Sequence, residues 1–301
     1  LSQQTREHVT VALSGTGGDE AFMGYPRHLG IGYAKTYRRL PRPCRSLLAA
    51  VSGVLPESTA SNYPLHRLGR RVHRFMDASD CSAAESYVRW LTYFDAPSRG
   101  RLTGDSSHSE AFIHEALDSV QGREIEDRAQ YADIKTFLPY NQLHYMDRMS
   151  MACSLEARVP FCDHEVLEFA ANLPAKWKVR GRHTKRVLKQ AFKEMLPAGI
   201  AVRRKVGFDA PAGEWFKGSL RSISAAVFSP AAIEETGVFS PDEVQRLWRT
   251  HLAGGRDLSL QLWAIFVFEV WHRMYVQDGI SEAPSFTLTE LLEEHGLAVA
   301  S

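Results

Sequence analysis

Val9-Thr10-Val11-Ala12-Leu13-Ser14-Gly15-Thr16-Gly17-Gly18-Asp19-Glu20 is the stretch on which the reading of the fold turns. Its first five residues are a short apolar run rich in β-branched side chains, and glycines follow at once. That order reads as a buried strand over 9–13, a Gly-rich turn and then a helix. No later stretch reads as a second comparable strand. A parallel-type strand cannot form a sheet alone, so its neighbours are expected upstream of residue 1 or in another chain.

The turn itself points to a ligand. Glycines let the backbone reverse sharply and aim N–H groups outward. The carboxyl end of a strand, running into a helix N-terminus, is where anions and cofactors bind in open α/β sheets. Asp19 puts a carboxylate there. A carboxylate beside a phosphate repels it unless a Mg²⁺ bridges the two, so Asp19 is a candidate metal ligand. The plainer alternative is a tight turn with Asp19 as a helix cap. The length of the string, through Ala21-Phe22-Met23-Gly24-Tyr25, favours the ligand reading.

Composition narrows the class. The chain has 301 residues, enough for one large domain or two small ones. Hydrophobic residues make up 44% and charged residues 24%, as in globular proteins. The formal net charge of +1 gives no global field toward nucleic acid or membrane. Cys44, Cys81, Cys153 and Cys162 form no CxxC pair, which fits free thiols in a reducing, cytoplasmic setting. The most apolar stretch, Leu258 to Val276, contains Gln261, Glu269, His272 and Arg273 and reads as a buried core helix. The chain opens on Leu1 a few residues before the strand, and it reads as a piece of a longer protein.

Further along, residues 26–75 carry ten Arg and Lys with almost no acidic neighbours in sequence. They read as a solvated helical surface, broken by Pro41, Pro43, Pro56 and Pro64, and aromatics are not interleaved for base stacking. From Glu124 the pattern is helical: Gln130 to Ser150 interrupted at Pro139, a helix capped by Asp163, Thr184 to Leu196, a helix capped at Ser240, and Asp257 to Gln277 as the central buried helix. The fold expected is mainly α, organised as one portion over 1–280 and a poorly packed tail over 281–301.

Three blocks then resemble asparagine synthetases. Ser14 to Tyr25 resembles the family string S-G-x-G-G-D-E-x-F-x-G-Y. Asp147-Arg148-Met149-Ser150-Met151 with Glu156-Ala157-Arg158-Val159-Pro160-Phe161-Cys162-Asp163 resembles D-R-x-S-M and E-x-R-x-P-F-L-D, with Cys162 in place of Leu. Arg203-Arg204-Lys205-Val206-Gly207-Phe208 resembles R-x-K-x-G-F. The resemblance implies the C-terminal part of a synthetase domain. That part is the remnant of an α/β ATP-pyrophosphatase domain of the adenine nucleotide alpha hydrolase type, with a parallel sheet.

The resemblance also implies a reaction. ATP and Mg²⁺ activate the aspartate side-chain carboxylate as an adenylate, releasing pyrophosphate. Ammonia made from glutamine in a separate domain then gives asparagine and AMP. Ser14, Gly15, Thr16, Gly17, Gly18, Asp19 and Glu20 would hold the nucleotide, and Asp19 the metal. Lys205 would place a compact positive charge on the pyrophosphate or the developing adenylate. Glu156 is read two ways, as a group orienting substrate or the pyrophosphate loop, or as a partner in a buried ion pair with Arg158 or Arg148. Asp147 and Arg148 are read as structural.

Departures from the family pattern limit these expectations. Thr16 stands where an acidic residue is common, and it cannot serve as the catalytic tyrosine of β-lactam-forming relatives. No S-G-G-x-D-S string and no N-terminal Cys occur in these residues. The partners expected are therefore a glutaminase domain and the upstream half of the synthetase domain, with no nucleic acid and no membrane, and a homodimer among the open arrangements. This chain alone is expected to be inactive. The alternatives are an amidotransferase acting on another carboxylate, from the cell envelope or secondary metabolism, and a non-catalytic helical binding module.

Overall fold

The computed structural model describes residues 1–53, 55, 64–107, 109–197, 199–200, 210–254, 256–282 and 284–297, with the backbone alone at 64–67 and 70. Two compact units are present. One comprises Leu1–Ser46, Asp77–Leu91 and Ser109–Val206; the other comprises Leu47–Met76, Thr92–His108 and Gly207–Ser301. Both are built mainly of helices, and among the described residues no helix is long and apolar enough to cross a membrane.

The first unit contains a two-stranded parallel sheet, β1 (Val11–Leu13) and β2 (Glu156–Arg158). Val11 pairs with Glu156, Ala12 with Ala157 and Leu13 with Arg158. The expectation that β1 finds all its neighbours elsewhere is corrected here. Its partner lies in the same chain, and it was invisible because Glu-Ala-Arg is too short and too polar to read as a strand. The backbone closes the pair at both ends, Glu156 N donating to Thr10 O (3.0 Å) and Ser14 N to Arg158 O (2.8 Å). A second correction concerns burial. Val11 is 38% and Leu13 75% exposed, so the apolar strand is not covered by the described residues. Three residues paired along one edge bury little side-chain surface.

Around the sheet stand helices Gly18–Ala21, Pro26–Arg38, Ala83–Leu91, Ala111–Asp118, Ile125–Ala132, His144–Met151 and His164–Asn172. Pro139 does not break the 125–151 run. Residues Asp133–Leu143 widen to a π-helix that takes up the proline's missing N–H, and the helix continues into His144–Met151. The cap at Asp163 forms, Glu165 N donating to its carboxylate at 2.9 Å. The helix expected over 184–196 is shorter, Arg186–Ala191. The basic stretch finds acids far off in sequence: Arg27 meets Asp133, Lys35 meets Glu124 and Glu126, and Arg45 meets Asp80.

The second unit packs aromatics. Phe216, Phe228, Trp248 and Phe266 are buried together, with the Phe228–Trp248 ring centroids 5.3 Å apart. The long apolar helix runs Ser259–Trp271 and ends in a π-turn over His272–Gln277; it buries Leu262, Ile265 and Phe266 and leaves Leu260 and Val267 exposed. The segment 281–301, expected to pack poorly, holds helix Leu288–Glu294. Thr287 and Glu290 cap it reciprocally, and Leu291 and Leu292 are buried. Paired leucines on a capped turn suffice to dock a segment whose composition is otherwise polar.

Candidate active site

The Gly-rich loop leaves β1 as a side-chain turn. The hydroxyls of Ser14 and Thr16 lie 2.8 Å apart, and Thr16 N donates to Ser14 Oγ at 3.2 Å. Thr16 also offers its hydroxyl to Met146 Sδ at 3.7 Å. Gly17 sits at φ +90°, and a Cβ there would stand 2.5 Å from Cys162 Sγ. Both backbone hand and space therefore demand glycine. Cys162 Sγ lies 3.8 Å from Thr16 O, and burial pushes this thiol above its ordinary range, so it stays an S–H donor. The segment after β2 thus closes over the loop, with the Phe161 ring against Gly18.

Asp19 and Glu20 fall on the short helix Gly18–Ala21 with different surroundings. Asp19 Oδ1 pairs with Lys185 Nζ at 2.9 Å, both side chains half-buried. Gly24 folds back beneath: its N–H donates to Asp19 O at 2.7 Å, and a Cβ on it would meet Asp19 Oδ1 at 1.8 Å. Lys185 itself holds a left-handed backbone, φ 51°, a conformation that is strained for a residue with a side chain. Glu20 is buried and accepts from Tyr25 OH at 2.5 Å. Burial, then the Glu20 bond and charge, push the Tyr25 hydroxyl far above its ordinary range.

Behind Tyr25 lies a buried polar cluster centred on Asp133. Its carboxylate accepts from Arg27 (2.8 Å), His28 (2.9 Å) and Tyr87. Burial alone would raise this carboxyl, but the His28 bond and the Arg27 charge outweigh it and hold the group below the usual carboxylate range. The Arg27 guanidinium covers the Tyr25 ring at 3.8 Å.

The site residues expected from sequence divide accordingly. Ser14 to Gly17 form the turn, and Gly18, Asp19 and Glu20 continue from it on the short helix Gly18–Ala21. Glu156 opens β2 opposite Val11, away from the loop end of the pair, and its carboxylate takes Arg158 Nε at 2.8 Å. Both side chains are more than half exposed, so the ion pair exists at the surface and is not buried. Lys205 lies outside the described residues. Lys185 was missed, because within Thr184 to Leu196 it reads as one more polar residue of an amphipathic helix. Only the fold brings it to Asp19.

Comparison with known proteins places these features in a class. The Asparagine synthase family model matches residues 1–273. Asparagine synthetase [glutamine-hydrolyzing] 1 of Bacillus subtilis is 28% identical over 298 residues, covering 94% of this chain and 44% of that protein. A putative asparagine synthetase [glutamine-hydrolyzing] of Mycobacterium tuberculosis is 31% identical over 285 residues, 93% of this chain and 42% of its own length. The amidase chyE of Penicillium rubens is 23% identical over 252 residues, 76% of this chain and 36% of that one. No solved structure matches. The class is that of ATP-dependent carbon–nitrogen ligases and amidotransferases. Within it, the chain belongs to the asparagine synthase family. It spans less than half the length of the curated relatives it matches most fully.

Proposed function

We propose that this chain supplies the metal-facing side of an ATP-dependent amide ligase that adenylates the aspartate side-chain carboxylate and passes ammonia from glutamine to the adenylate. The observation carrying this reading is the turn at the carboxyl end of β1, which presents Asp19 on Gly18–Ala21 and holds it against Lys185 at 2.9 Å. The aspartate carboxylate attacks the α-phosphorus, pyrophosphate departs, and ammonia then displaces AMP. Charge accumulates on the departing pyrophosphate, so fixed cations beside the turn lower the barrier, and a Mg²⁺ held there by Asp19 would add to that charge stabilisation.

The donor set bears on Mg²⁺. Among the described residues no three His, Cys, Asp or Glu side chains converge as a metal cage. Asp19 would be the residue to hold a Mg²⁺ here, and a single protein carboxylate is compatible with how this ion is commonly bound. Bound there, the ion would neutralise phosphate charge. Lys185, now on Asp19 Oδ1, would share or yield that oxygen. Its ammonium would then lie beside the phosphates. Lys205 is assigned the charge on the leaving pyrophosphate, and Glu156 the orientation of substrate at the sheet. The reaction setting is cytoplasmic, and the partners are a glutaminase domain and the remaining synthetase sheet.

A second acceptor acid is favoured by one observation. The hydroxyl of Thr16 is engaged with Ser14 and Met146, so a neutral side chain occupies the loop position where related synthetases often carry an acid. ATP–pyrophosphate exchange by the complete gene product, tested over a panel of carboxylic acids, separates the readings. Exchange with aspartate, abolished by Asp19→Asn, supports the first. Exchange only with another acid moves the assignment to the second. No exchange with any acid overturns both and leaves a binding module.

A further inference from the structure

Lys178 is the residue the proposed chemistry does not use and burial does not explain. It ends the short helix Ala175–Lys178, and its side chain is wholly inaccessible. A buried ammonium is costly unless its protons are placed. Two of them are. Nζ donates to Ala170 O at 2.8 Å and to Gln130 Oε1. Asp127, one turn before Gln130 on helix Ile125–Ala132, stands 4.0 Å away.

Gln130 passes this arrangement on. A glutamine amide can bind in either of two orientations, and a lysine, which only donates, selects the one with Oε1 toward it. Nε2 is thereby turned the other way, where it donates to Ala21 O. Ala21 is the last residue of the helix Gly18–Ala21 that carries Asp19 and Glu20. Carbonyls at a helix end lack partners within the helix, and this one is fully buried, so without Gln130 it would stay unsatisfied.

We infer that Lys178 is a positioning residue for the Asp19 turn, acting through the side-chain amide of Gln130. Lys178 orients the amide, the amide caps Ala21, and the cap holds the four-residue helix against the floor of the unit. That Asp19 then serves a ligand rests on the function proposed above; the coupling of Lys178 to the turn does not.

Amide hydrogen exchange of the complete protein tests the coupling without any substrate. Lys178→Met frees the amide to turn over, and Gln130→Glu keeps an acceptor for Lys178 while removing the donor to Ala21. Both are expected to speed exchange over Asp19–Gly24 about tenfold, the scale on which losing a buried partner acts. Leu117→Ala, a core truncation in the same unit, should not single out those amides. Wild-type exchange at Asp19–Gly24 in Gln130→Glu would overturn the inference, as would faster exchange spread equally over Ile125–Ala132 and His164–Asn172. If Lys178→Met does not fold, Gln130→Glu and the shape-conserving Gln130→Met decide by the same criterion. Titration of wild type and variants with Mg·ATP is read separately. Binding weakened about tenfold in both variants extends the coupling to the ligand. Absence of binding by wild type would count against the proposed function and leave the exchange result standing.

Discussion

The floor beneath the Gly-rich loop and the cluster around Phe216 are buried to the same degree by opposite means. Under the loop lie Glu20, His28, Gln130, Asp133 and Lys178, each bonded to a named partner. Around Phe216 lie Phe228, Trp248, Ile265 and Phe266, with rings at tilted and edge-on angles. Apolar packing is non-directional and tolerates small shifts, whereas a bonded polar network fixes positions and orientations. A turn that presents one carboxylate in one place, as the proposed function asks of Asp19, gains from the second kind. The contrast is not absolute, because Glu269, Arg273 and Thr236 form a buried bonded group in the second unit.

Breaking the polar centre should have the largest effect. Asp133→Asn removes the charge that compensates Arg27 and turns one of the two oxygens that accept from Arg27, His28 and Tyr87 into an N–H donor. It is expected to cost about 3–5 kcal/mol in urea unfolding, as when one partner leaves a buried pair. The folded carboxyl is held below its unfolded value, so this stabilisation is present above the unfolded pKa, near about 4, and is lost as pH falls through the folded one. The gap between wild type and variant should therefore close only in acid. Phe216→Ala is expected to cost about 3–5 kcal/mol by the cavity it leaves, with no such dependence on acid. A gap for Phe216→Ala that closed in acid would dissolve the distinction between the two regions.

Lys178 sharpens the comparison at the other end of the pH scale. Burial lowers its ammonium from 10.5 to about 8, with Asp127 opposing. Below about pH 8 both folded and unfolded forms are protonated and the burial cost is fully present. Between there and 10.5 the unfolded chain holds a proton the folded one does not, so this group makes stability rise with pH. The contribution is at most about 3 kcal/mol. Unfolding free energies at pH 7 and 10 should show that rise in wild type and lose it in Lys178→Met. The smallest effect is expected at the surface: Glu156→Gln breaks the exposed pair with Arg158 and should change stability by less than about 1 kcal/mol. Any larger loss of exchange activity in that variant then reports on function and not on folding.

Much of this was legible without coordinates, where the chemistry is local. Gly17 read as part of a Gly-rich turn, and the structure adds that it needs a positive φ and that Gly24 leaves no room for a side chain beside Asp19. The caps at Asp163 and Ser240 form where their side chains and spacing placed them. β2 was not legible, because a three-residue polar strand is defined only by the strand it pairs with. Pro139 read as a break because a proline in an α-helix removes a bond, and a π-turn escapes that rule. The tail read as loose because two buried leucines are too few to register in composition.

The sequence by itself determined the family, the strand-to-turn transition at Leu13–Ser14 and the residue that carries the carboxylate. Each of these depends on neighbours a few positions apart. Only the tertiary structure decided that Lys185 meets Asp19, that Asp133 collects Arg27, His28 and Tyr87, and that Lys178 reaches the Asp19 turn through Gln130. These partners lie far apart along the chain, and a lone lysine or aspartate in a helical pattern carries no mark of burial. Its role depends on which distant backbone and side-chain atoms folding sets within bonding distance.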